Sequence, residues 1–251
     1  MEIISSRKNQ YIQHLRSLGS DGKYRWERGE FLCDGYKLLE DAIASGTEIT
    51  SILWKDSKGE YDCSAEKQYI ADSELFDYAS PMKNSPGPLF TCRIPASIHN
   101  SEFHNAVILE DLQDPGNVGT VLRTANAFGI KAVVLVGACA DLYSPKTVRA
   151  SMGAIFRQKA FCLDNSELRS FLTDNSLKLY GAVLSDRAED LRNISLENSA
   201  VAIGSEGHGL SSGLVSICDG EIIIPMNKCS ESLNAAVAAS VIMWEMAGKL
   251  L

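Results

Sequence analysis

Residues 224–246 read IPMNKCSESLNAAVAASVIMWEM and contain, without a gap, the end of a strand, a polar turn and a long helix. The run at 221–225 is β-branched and ends in a proline, as in a buried strand. At 235–247 only Ser240 and Glu245 interrupt the apolar surface, a pattern typical of a helix covered on all sides. We therefore expect one side of this helix to pack on its own sheet and the other on a second copy of the chain.

The polar turn before this helix contains Ser230, Glu231, Ser232, Leu233 and Asn234. We expect Ser232 to cap the helix, because a serine oxygen can accept hydrogen bonds from the first N–H groups of a helix. The exposed N–H groups at a helix start also favour a polar or anionic ligand. This turn is therefore a candidate binding site.

The composition indicates a soluble protein of one large domain or two modest ones, since the chain has 251 residues. Its net charge of −8 argues against a large, indiscriminate nucleic-acid surface but allows a local basic patch. The seven cysteines are an odd number without a CxxC pair, which favours reduced, buried thiols over a disulfide framework. No apolar run approaches the roughly 18 residues of a membrane span, so we expect a cytoplasmic protein without a membrane partner.

Residues 1–30 form the one clearly basic region, with six basic and four acidic side chains. Tyr11, Tyr24 and Trp26 are interleaved with these charges, a mixture suited to phosphates and stacked bases. A solvated helix with a few surface aromatic residues would give the same pattern. The candidate RNA-binding residues are Arg7, Lys8, Arg16, Lys23, Arg25 and Arg28.

The first part of the chain alternates strands and helices. Strands are indicated at 31–32, 49–54, 69–70 and 89–93, and helices at 36–44 and 73–79. Four of the seven prolines lie between 81 and 95, and we place a boundary near 96–104. This predicts a small α/β domain at 1–97, a linker at 98–104 and a second domain at 105–251.

The second part has continuous apolar strands at 106–109, 132–137, 179–184, 200–203 and 221–224. Helical stretches separate these strands, as in a mostly parallel sheet that is covered on both faces. Ligands of such sheets bind beyond the carboxyl ends of the strands. Polar turns follow three of the strands, so we expect these turns to converge on one site.

The first of these turns, DPGNVG at 114–119, precedes a helix that Gly129 should end. Arg123 lies beside the apolar stripe of this helix, and Asn117 and Asn126 flank it. The second turn, GSEGHG at 204–209, has three glycines that allow a close approach of the backbone to a ligand. It is neither a dinucleotide fingerprint nor a phosphate-binding P-loop.

The chemistry that these turns offer is that of a binding site rather than a metal centre. They supply a carboxylate, a guanidinium, amides, a hydroxyl and many backbone N–H groups. No metal site is expected, because the four histidines (His14, His99, His104 and His208) have no ligand spacing. No nucleophile has an evident base partner, which disfavours acyl transfer.

The three turns resemble, in order and separation, the three motifs of the SpoU/TrmH branch of the SPOUT superfamily. The matching residues are Asn117, Gly119 and Arg123, then Gly204, Glu206, Gly207 and Gly209, then Ile224, Pro225, Met226, Ser232, Leu233 and Asn234. The resemblance covers 105–251, and SPKTVRASMGA at 144–154 is similar to a further family stretch. The first 97 residues look like the substrate-binding domain, similar to ribosomal protein L30e, that many rRNA-directed members carry.

This resemblance implies an S-adenosylmethionine-dependent RNA 2'-O-ribose methyltransferase. It implies an α/β fold with a deep trefoil knot, a donor held in the knot loops and a homodimer that completes the site. By the resemblance, Arg123 lies at the attacking hydroxyl and the adjacent phosphate. Because arginine stays protonated, we expect it to clamp the phosphate and orient the hydroxyl rather than to act as a base.

The resemblance also distributes roles among the motif residues. Asn117, Glu206, Ser232 and Asn234 would join Arg123 in the catalytic set, shape the pocket and hold the guanidinium. The donor-binding residues implied are Ile203, Gly204, Glu206, Gly207, Ile224, Met226, Ser232 and Leu233. Lys228 stands where family members commonly have glycine, so we expect this loop to take a different path.

Two other functions remain open at this point. A catalytically silent RNA- or ribosome-binding protein could keep the fold, although it would not need Asn117, Arg123, Glu206 and Asn234 together. A nucleotide-dependent oxidoreductase is disfavoured by the missing fingerprint. Between the RNA classes, the separate first domain favours rRNA over tRNA.

Overall fold

The computed structural model describes residues 2–61, 63–96, 102–227 and 232–248. The turn residues Ser230 and Glu231, the substitution at Lys228 and most of the linker at 98–104 lie outside the described residues. The chain divides into two compact units. The first comprises Met1–Ala96 and Tyr143–Phe156, and the second comprises Ser97–Leu142 and Arg157–Leu251.

The strands alternate with helices along the chain, as the sequence predicts. The strands are β1 (Glu2–Ile4), β2 (Glu30–Asp34), β3 (Ile49–Lys55), β4 (Lys67–Ala71), β5 (Leu89–Arg93), β6 (Asn105–Glu110), β7 (Ala132–Val136), β8 (Ala160–Leu163), β9 (Lys178–Ala182), β10 (Glu189–Asp190), β11 (Ser199–Ile203) and β12 (Gly220–Ile223). The helices are α1 (Gln10–Ser20), α2 (Gly22–Arg28), α3 (Tyr36–Ala44), α4 (Ser73–Ala79), α5 (Pro115–Phe128), α6 (Pro145–Ala150), α7 (Asn165–Asp174), α8 (Ser212–Val215) and α9 (Ala235–Ala247).

The first unit is built on a five-stranded sheet in the order β1-β4-β3-β5-β2. Strands β1, β3 and β4 run parallel, and β5 runs antiparallel to β2 and β3. Helices α1 and α4 bury their apolar faces on this sheet, with Ile12, Leu15 and Phe76 fully covered. The stretch 143–156 belongs to this unit, and the ring centroids of Tyr143 and Phe31 are 4.8 Å apart.

The second unit is built on a seven-stranded sheet in the order β10-β12-β9-β11-β6-β7-β8, and every pairing is parallel. Helices α7 and α8 cover one face, where Leu168 and Leu214 pack with Ile108. Helices α5 and α9 lie on the other face and pack on each other. The expected parallel, doubly covered sheet is therefore confirmed, although the strand predicted at 179–184 ends at Ala182.

Each helix that follows a site strand begins at a side-chain cap. In α5, Asp114 is the N-cap and Pro115 the first residue, and Gly129 ends the helix with a left-handed backbone at φ +70°. For α9, the prediction that Ser232 is the N-cap is wrong. Asn234 is the N-cap, because the helix starts at residue 235 and the side-chain oxygen of Asn234 accepts from the second and third helical N–H groups.

Helix α9 is covered on only one side within the chain. Ala239, Ile242 and Met243 are fully buried on that side. Val237, Val241 and Trp244 are exposed, and Trp244 keeps 59% of its accessible surface. The predicted packing on its own sheet is confirmed, and an apolar stripe faces outward on the other side.

Two further features concern the lengths of the helices and the state of the cysteines. In the described ranges, every helix is too short or too polar to reach across a membrane. The six cysteines within those ranges are free thiols. Cys33 and Cys92 are buried, but Cys162 is exposed, so the expectation of buried thiols is wrong for that residue.

Candidate active site

Three side chains from the three predicted turns meet at the carboxyl edge of the seven-stranded sheet. Glu206 Oε1 accepts a hydrogen bond from Asn117 Nδ2 at 2.8 Å and one from Asn234 Nδ2 at 2.6 Å. The backbone N–H of Ala235 also points to this oxygen, at 3.4 Å. Asn234 Nδ2 further donates to Asn117 Oδ1 at 3.2 Å. We call this group the Asn-Glu-Asn cluster; it joins the turns that follow β6, β11 and β12.

The local structure explains why these three side chains converge. Asn117 lies in the first turn of α5, where its backbone N–H binds the Asp114 cap at 2.8 Å. Asn234 uses its amide oxygen to cap α9 and its amide nitrogen to reach Glu206. Both helices start just beyond the parallel strands that precede them, so their first turns lie at the same edge.

The turn that carries Glu206 is closed tightly. The N–H of Gly209 donates to the carbonyl of Ser205 at 2.9 Å, and Gly209 has φ +66°, which favours glycine. A Cβ at Gly204 would overlap the backbone of Gly209. Close approach of the turn to itself therefore requires Gly204, and the left-handed backbone favours glycine at Gly209.

A cavity of about 460 Å³ lies beside the cluster. Its lining is mainly apolar and includes Ala182 and Ile222, together with the polar residues Ser205 and Glu206. All eight residues expected to bind the donor line it: Ile203, Gly204, Glu206, Gly207, Ile224, Met226, Ser232 and Leu233. This size is within the about 300–1,000 Å³ of pockets that enclose ligands of cofactor size. A mainly apolar lining with a few polar residues fits S-adenosylmethionine, which has an adenine ring and charged groups.

A second cavity, of about 630 Å³, lies on the other side of the Glu206 turn. Residues 205–208 line both cavities, so the turn separates them. Asp111, Gln113 and Asp114 complete the second cavity. His208, to which we assigned no role from the sequence, lines both cavities. Two ligands could therefore approach each other across Glu206.

Among the described residues of one chain, Arg123 does not bind the Asn-Glu-Asn cluster. Its side chain is exposed, and it makes no hydrogen bond or ion pair with any residue the structure describes. It lines neither of the two cavities. Among the described residues of one chain, Asn117, Glu206 and Asn234 bind one another and not Arg123, so the expectation that they hold Arg123 stays a prediction. Arg123 lies on α5, which packs against α9.

The sequence reasoning missed Glu110. This carboxylate ends β6 and is only 6% exposed. Its Oε2 accepts from the backbone N–H of Ser211 at 2.7 Å, and its Oε1 accepts from the Ser211 hydroxyl at 2.7 Å. Through these two hydrogen bonds, Glu110 holds Ser211 in the segment that follows the Glu206 turn. A charged residue at the end of a fully apolar strand was the signal for it.

Cys139 is a cysteine near the second cavity, and its thiol is protonated and hydrogen-bonded. Cys139 follows Ala138, which lines the second cavity, and its thiol donates to the carbonyl of Leu109 at 3.3 Å. Burial raises the pKa of Cys139, so the thiol stays protonated near neutral pH. In the described part of the chain, no group of three or more His, Cys, Asp or Glu side chains could hold a metal ion.

The six basic residues expected to contact RNA differ in their surroundings. Arg7 pairs with Glu74 at 2.6 Å, and both Arg7 and Arg16 lie over the ring of Tyr78. Lys8 and Lys23 are exposed, and Arg28 lies over the ring of Tyr24.

The expectation for Arg25 is wrong. Arg25 is only 4% exposed, and its Nη1 donates a hydrogen bond to the backbone carbonyl of Leu18. The guanidinium thus holds α1 and α2 together and is not open to a phosphate.

Comparison with known proteins agrees with this geometry. Residues 104–244 match the SpoU rRNA Methylase family, and residues 9–81 match the MRM3-like substrate binding domain. The chain is 29% identical over 250 residues to the 23S rRNA (guanosine(2553)-2'-O)-methyltransferase RlmP of Bacillus subtilis (strain 168), covering 99% of this chain and 100% of that protein. It is 28% identical over 261 residues to the 23S rRNA (uridine(2479)-2'-O)-methyltransferase of Streptomyces viridochromogenes, covering 96% and 90%.

A solved structure gives the same result. The AdoMet-bound rRNA methyltransferase from Sinorhizobium meliloti superposes with a TM-score of 0.87 at 25% identity, over 99% of this chain and 98% of that one. The family match covers more than half of the chain and all three turns of the site. The chain therefore belongs to the SpoU rRNA methylase family and is an S-adenosylmethionine-dependent RNA methyltransferase.

Proposed function

We propose that this enzyme transfers a methyl group from S-adenosylmethionine to a ribose 2'-hydroxyl of 23S rRNA. The observation that carries the proposal is the Asn-Glu-Asn cluster, which is built from all three family motifs and whose Glu206 lines both cavities. The choice of RNA is supported by the two full-length relatives, both of which are named as 23S rRNA 2'-O-methyltransferases.

The cavity of about 460 Å³ is the proposed donor site. Bound S-adenosylmethionine supplies an electrophilic methyl group on a sulfonium sulfur. Ile203 and Ile224 offer apolar walls, and Gly204 and Gly207 let backbone groups come close to the ligand. Glu206 and Ser232 line the polar part. The Asn-Glu-Asn cluster positions this wall by tying the turn at 204–209 to the starts of α5 and α9.

The second cavity, of about 630 Å³, is the proposed site of the target nucleotide. The 2'-oxygen forms a bond to the methyl carbon as the bond from that carbon to sulfur breaks, and the hydroxyl proton passes to the neighbouring phosphate or to solvent. Arg123 clamps that phosphate and orients the hydroxyl. Placing both reactants in line provides most of the rate enhancement in such a transfer.

A homodimer is part of the proposal, because Arg123 does not reach either cavity of its own chain. The exposed stripe of Val237, Val241 and Trp244 on α9 is an apolar surface of the kind that a symmetric dimer buries. Arg123 lies on the neighbouring helix, α5, so a partner docked on this stripe would receive the guanidinium near its own site. Asn117, Glu206, Ser232 and Asn234 complete that site.

The division of labour along the chain follows from the same reasoning. We assign RNA binding to residues 1–97, a linking role to 98–104 and methyl transfer to 105–251. The match of residues 9–81 to a substrate binding domain supports the first assignment. We place the enzyme in the cytoplasm, where rRNA is modified.

The proposal is tested by incubating the full chain with radiolabelled S-adenosylmethionine and, separately, with 23S rRNA and bulk tRNA from cells that lack the enzyme. Digestion to nucleosides should show label only in a 2'-O-methylated nucleoside of the 23S rRNA. Label in tRNA alone, or on a base, would overturn the proposal. The variant Arg123→Ala serves as the inactive control with intact donor binding.

A further inference from the structure

A cavity of about 680 Å³ lies in the first unit, and the function described above does not use it. It follows one edge of the five-stranded sheet, where β1, β2, β3 and β4 begin and β5 ends. Residues of α1 and α2 also line it. We call it the sheet-edge groove and define it by Tyr11, His14, Tyr24, Glu30, Lys67 and Tyr69.

The wall of the sheet-edge groove presents aromatic rings. Tyr11 and Tyr69 are stacked, with ring centroids 4.1 Å apart. Tyr24 lies at the other end, with the guanidinium of Arg28 5.1 Å from its ring centroid. All three residues are partly exposed, and they also pack against the apolar core of the domain. Partly exposed aromatic rings on the wall of a polar groove are suited to contact with a planar ligand.

The polar groups of the groove are held in place by one another. His14 Nδ1 lies 3.0 Å from the Tyr24 hydroxyl, and His14 Nε2 lies 2.9 Å from Glu30 Oε2. The second oxygen of Glu30 accepts from Arg93 at 3.1 Å. The hydroxyl of Tyr11 donates to Ser51 at 2.9 Å. Such a preorganised wall loses little conformational freedom when a ligand binds.

The charges of the groove select the kind of ligand. Three cations, Arg28, Lys67 and Arg93, face three carboxylates, Glu2, Glu30 and Glu66. A balanced groove is not a track for a phosphate backbone, which would need an excess of cations. Arg28 and Lys67 make no ion pair within the described residues, so they remain open to a single phosphate. Carboxylates beside aromatic rings suit the N–H donors of a nucleobase edge.

We propose that the sheet-edge groove binds an unpaired nucleotide of the RNA substrate, at a position separate from the methylated nucleotide. The base stacks on the tyrosine wall, its N–H groups bind the carboxylates, and its phosphate meets Arg28 or Lys67. This proposal rests on the proposed function, in that it takes RNA as the substrate. It gives the first domain a defined recognition site in addition to the basic region at 1–30 that the sequence suggested.

The test uses the full-length protein and three variants of the groove, Tyr69→Ala, Tyr69→Phe and Lys67→Ala, with Lys58→Ala as a matched exposed control. The probes are 23S rRNA transcripts and, separately, the four nucleoside 5'-monophosphates. We expect Tyr69→Ala to raise the Kd for RNA by about tenfold, within the range for one lost stacked base. Tyr69→Phe keeps the ring and should bind as the wild type does. Lys67→Ala should weaken binding less, and Lys58→Ala should not change it.

The site of contact is read directly by crosslinking. Transcripts that contain 4-thiouridine should crosslink to peptides carrying Tyr11 or Tyr69. Equal RNA affinity of Tyr69→Ala and wild type, with no crosslink in the groove, would overturn the proposal. Binding of free monophosphates as tight as that of RNA would also overturn it and indicate a small-molecule site.

The outcome is separable from the proposed function. Donor binding, followed by calorimetry, should be unchanged in all of these variants, and the groove variants should change KM for RNA more than kcat. If no 2'-O-methyl product formed at all, the RNA affinity and the crosslinks would still show whether the sheet-edge groove binds RNA.

Discussion

Asn234 Nδ2 lies 2.6 Å from Glu206 Oε1, so the residue that caps the last helix also binds the only carboxylate of the glycine-rich turn. One side chain thus couples the start of α9 to the wall of the donor cavity. A helix cap is a stability device, whereas a contact with the cavity wall concerns binding. Because the two roles use different atoms of the same amide, substitutions can separate them.

The first prediction separates these roles at Asn234. Asn234→Ser keeps an oxygen that can cap α9 but removes the N–H group that reaches Glu206. We expect little loss of stability and weaker donor binding. Asn234→Ala should lose both, with a stability cost of about 1 kcal/mol. Thermal unfolding and donor calorimetry measure the two effects, and equal donor affinity in both variants and wild type would contradict this account.

The second prediction concerns Glu110, which accepts two hydrogen bonds from Ser211. Glu110→Ala should destabilise the fold by about 1 kcal/mol, because it removes two hydrogen bonds that the buried Glu110 carboxylate accepts from the exposed Ser211. It should also weaken donor binding, since the turn at 204–209 loses its anchor. Ser211→Ala removes only the hydroxyl bond and is expected to cost less. Denaturant unfolding would show this ranking, and the reverse order would refute it.

The third prediction concerns Arg123. Arg123→Ala should abolish methyl transfer while leaving donor binding nearly intact, because the guanidinium lines neither cavity. Its exposed side chain without a described partner implies a stability change within about 0.5 kcal/mol. Arg123→Lys keeps the charge but loses the planar fork, so it should recover only part of the activity. Loss of donor binding together with activity would argue against the assigned role.

The fourth prediction concerns the exposed stripe on α9. Trp244→Glu places a charge on the surface that we assign to the dimer, so the protein should become monomeric and inactive. Ser170→Glu, on the exposed face of α7, is the matched control and should change neither property. Light scattering after size exclusion gives the mass. A wild-type monomer with full activity would rule out the dimeric site.

Mixing two impaired variants tests the same dimeric site. If Arg123 acts in the partner's site, a mixed dimer of Arg123→Ala and Asn234→Ala subunits should be more active than either variant alone. Failure to recover activity in a verified mixed dimer would place Arg123 in its own subunit's site.

The fifth prediction concerns pH. The hydrogen bond from His14 holds the pKa of the Glu30 carboxyl below its ordinary value of 4.5, against the opposing effect of burial. A carboxyl whose pKa is lower in the folded state stabilises the fold above its unfolded pKa, and this stability is lost as the pH falls through the folded pKa. The difference in Tm between wild type and Glu30→Gln should therefore be largest above pH 5 and shrink in more acidic buffer. Glu60→Gln, an exposed control, should show no such trend.

Much of the fold and of the site could be predicted from the sequence. Helices 36–44 and 73–79 and the apolar strands of the second domain were recovered, because caps, glycine stops and hydrophobic periodicity are local signals. The three turns were assigned to one sheet edge, because parallel strands bring their carboxyl ends together. All eight expected donor residues line one cavity. The trefoil knot implied by the resemblance stays a prediction.

The sequence by itself determined the order of elements, the position of the three turns and the family to which they belong. Only the tertiary structure decided that Asn234 rather than Ser232 caps α9, that Arg25 is buried, and that Asn117 binds Glu206 across 89 positions of the chain. It also decided that Arg123 stays apart from that cluster. The reason is physical: helices, strands and turns depend on neighbouring residues, whereas hydrogen bonds between distant segments depend on how the sheet brings those segments together.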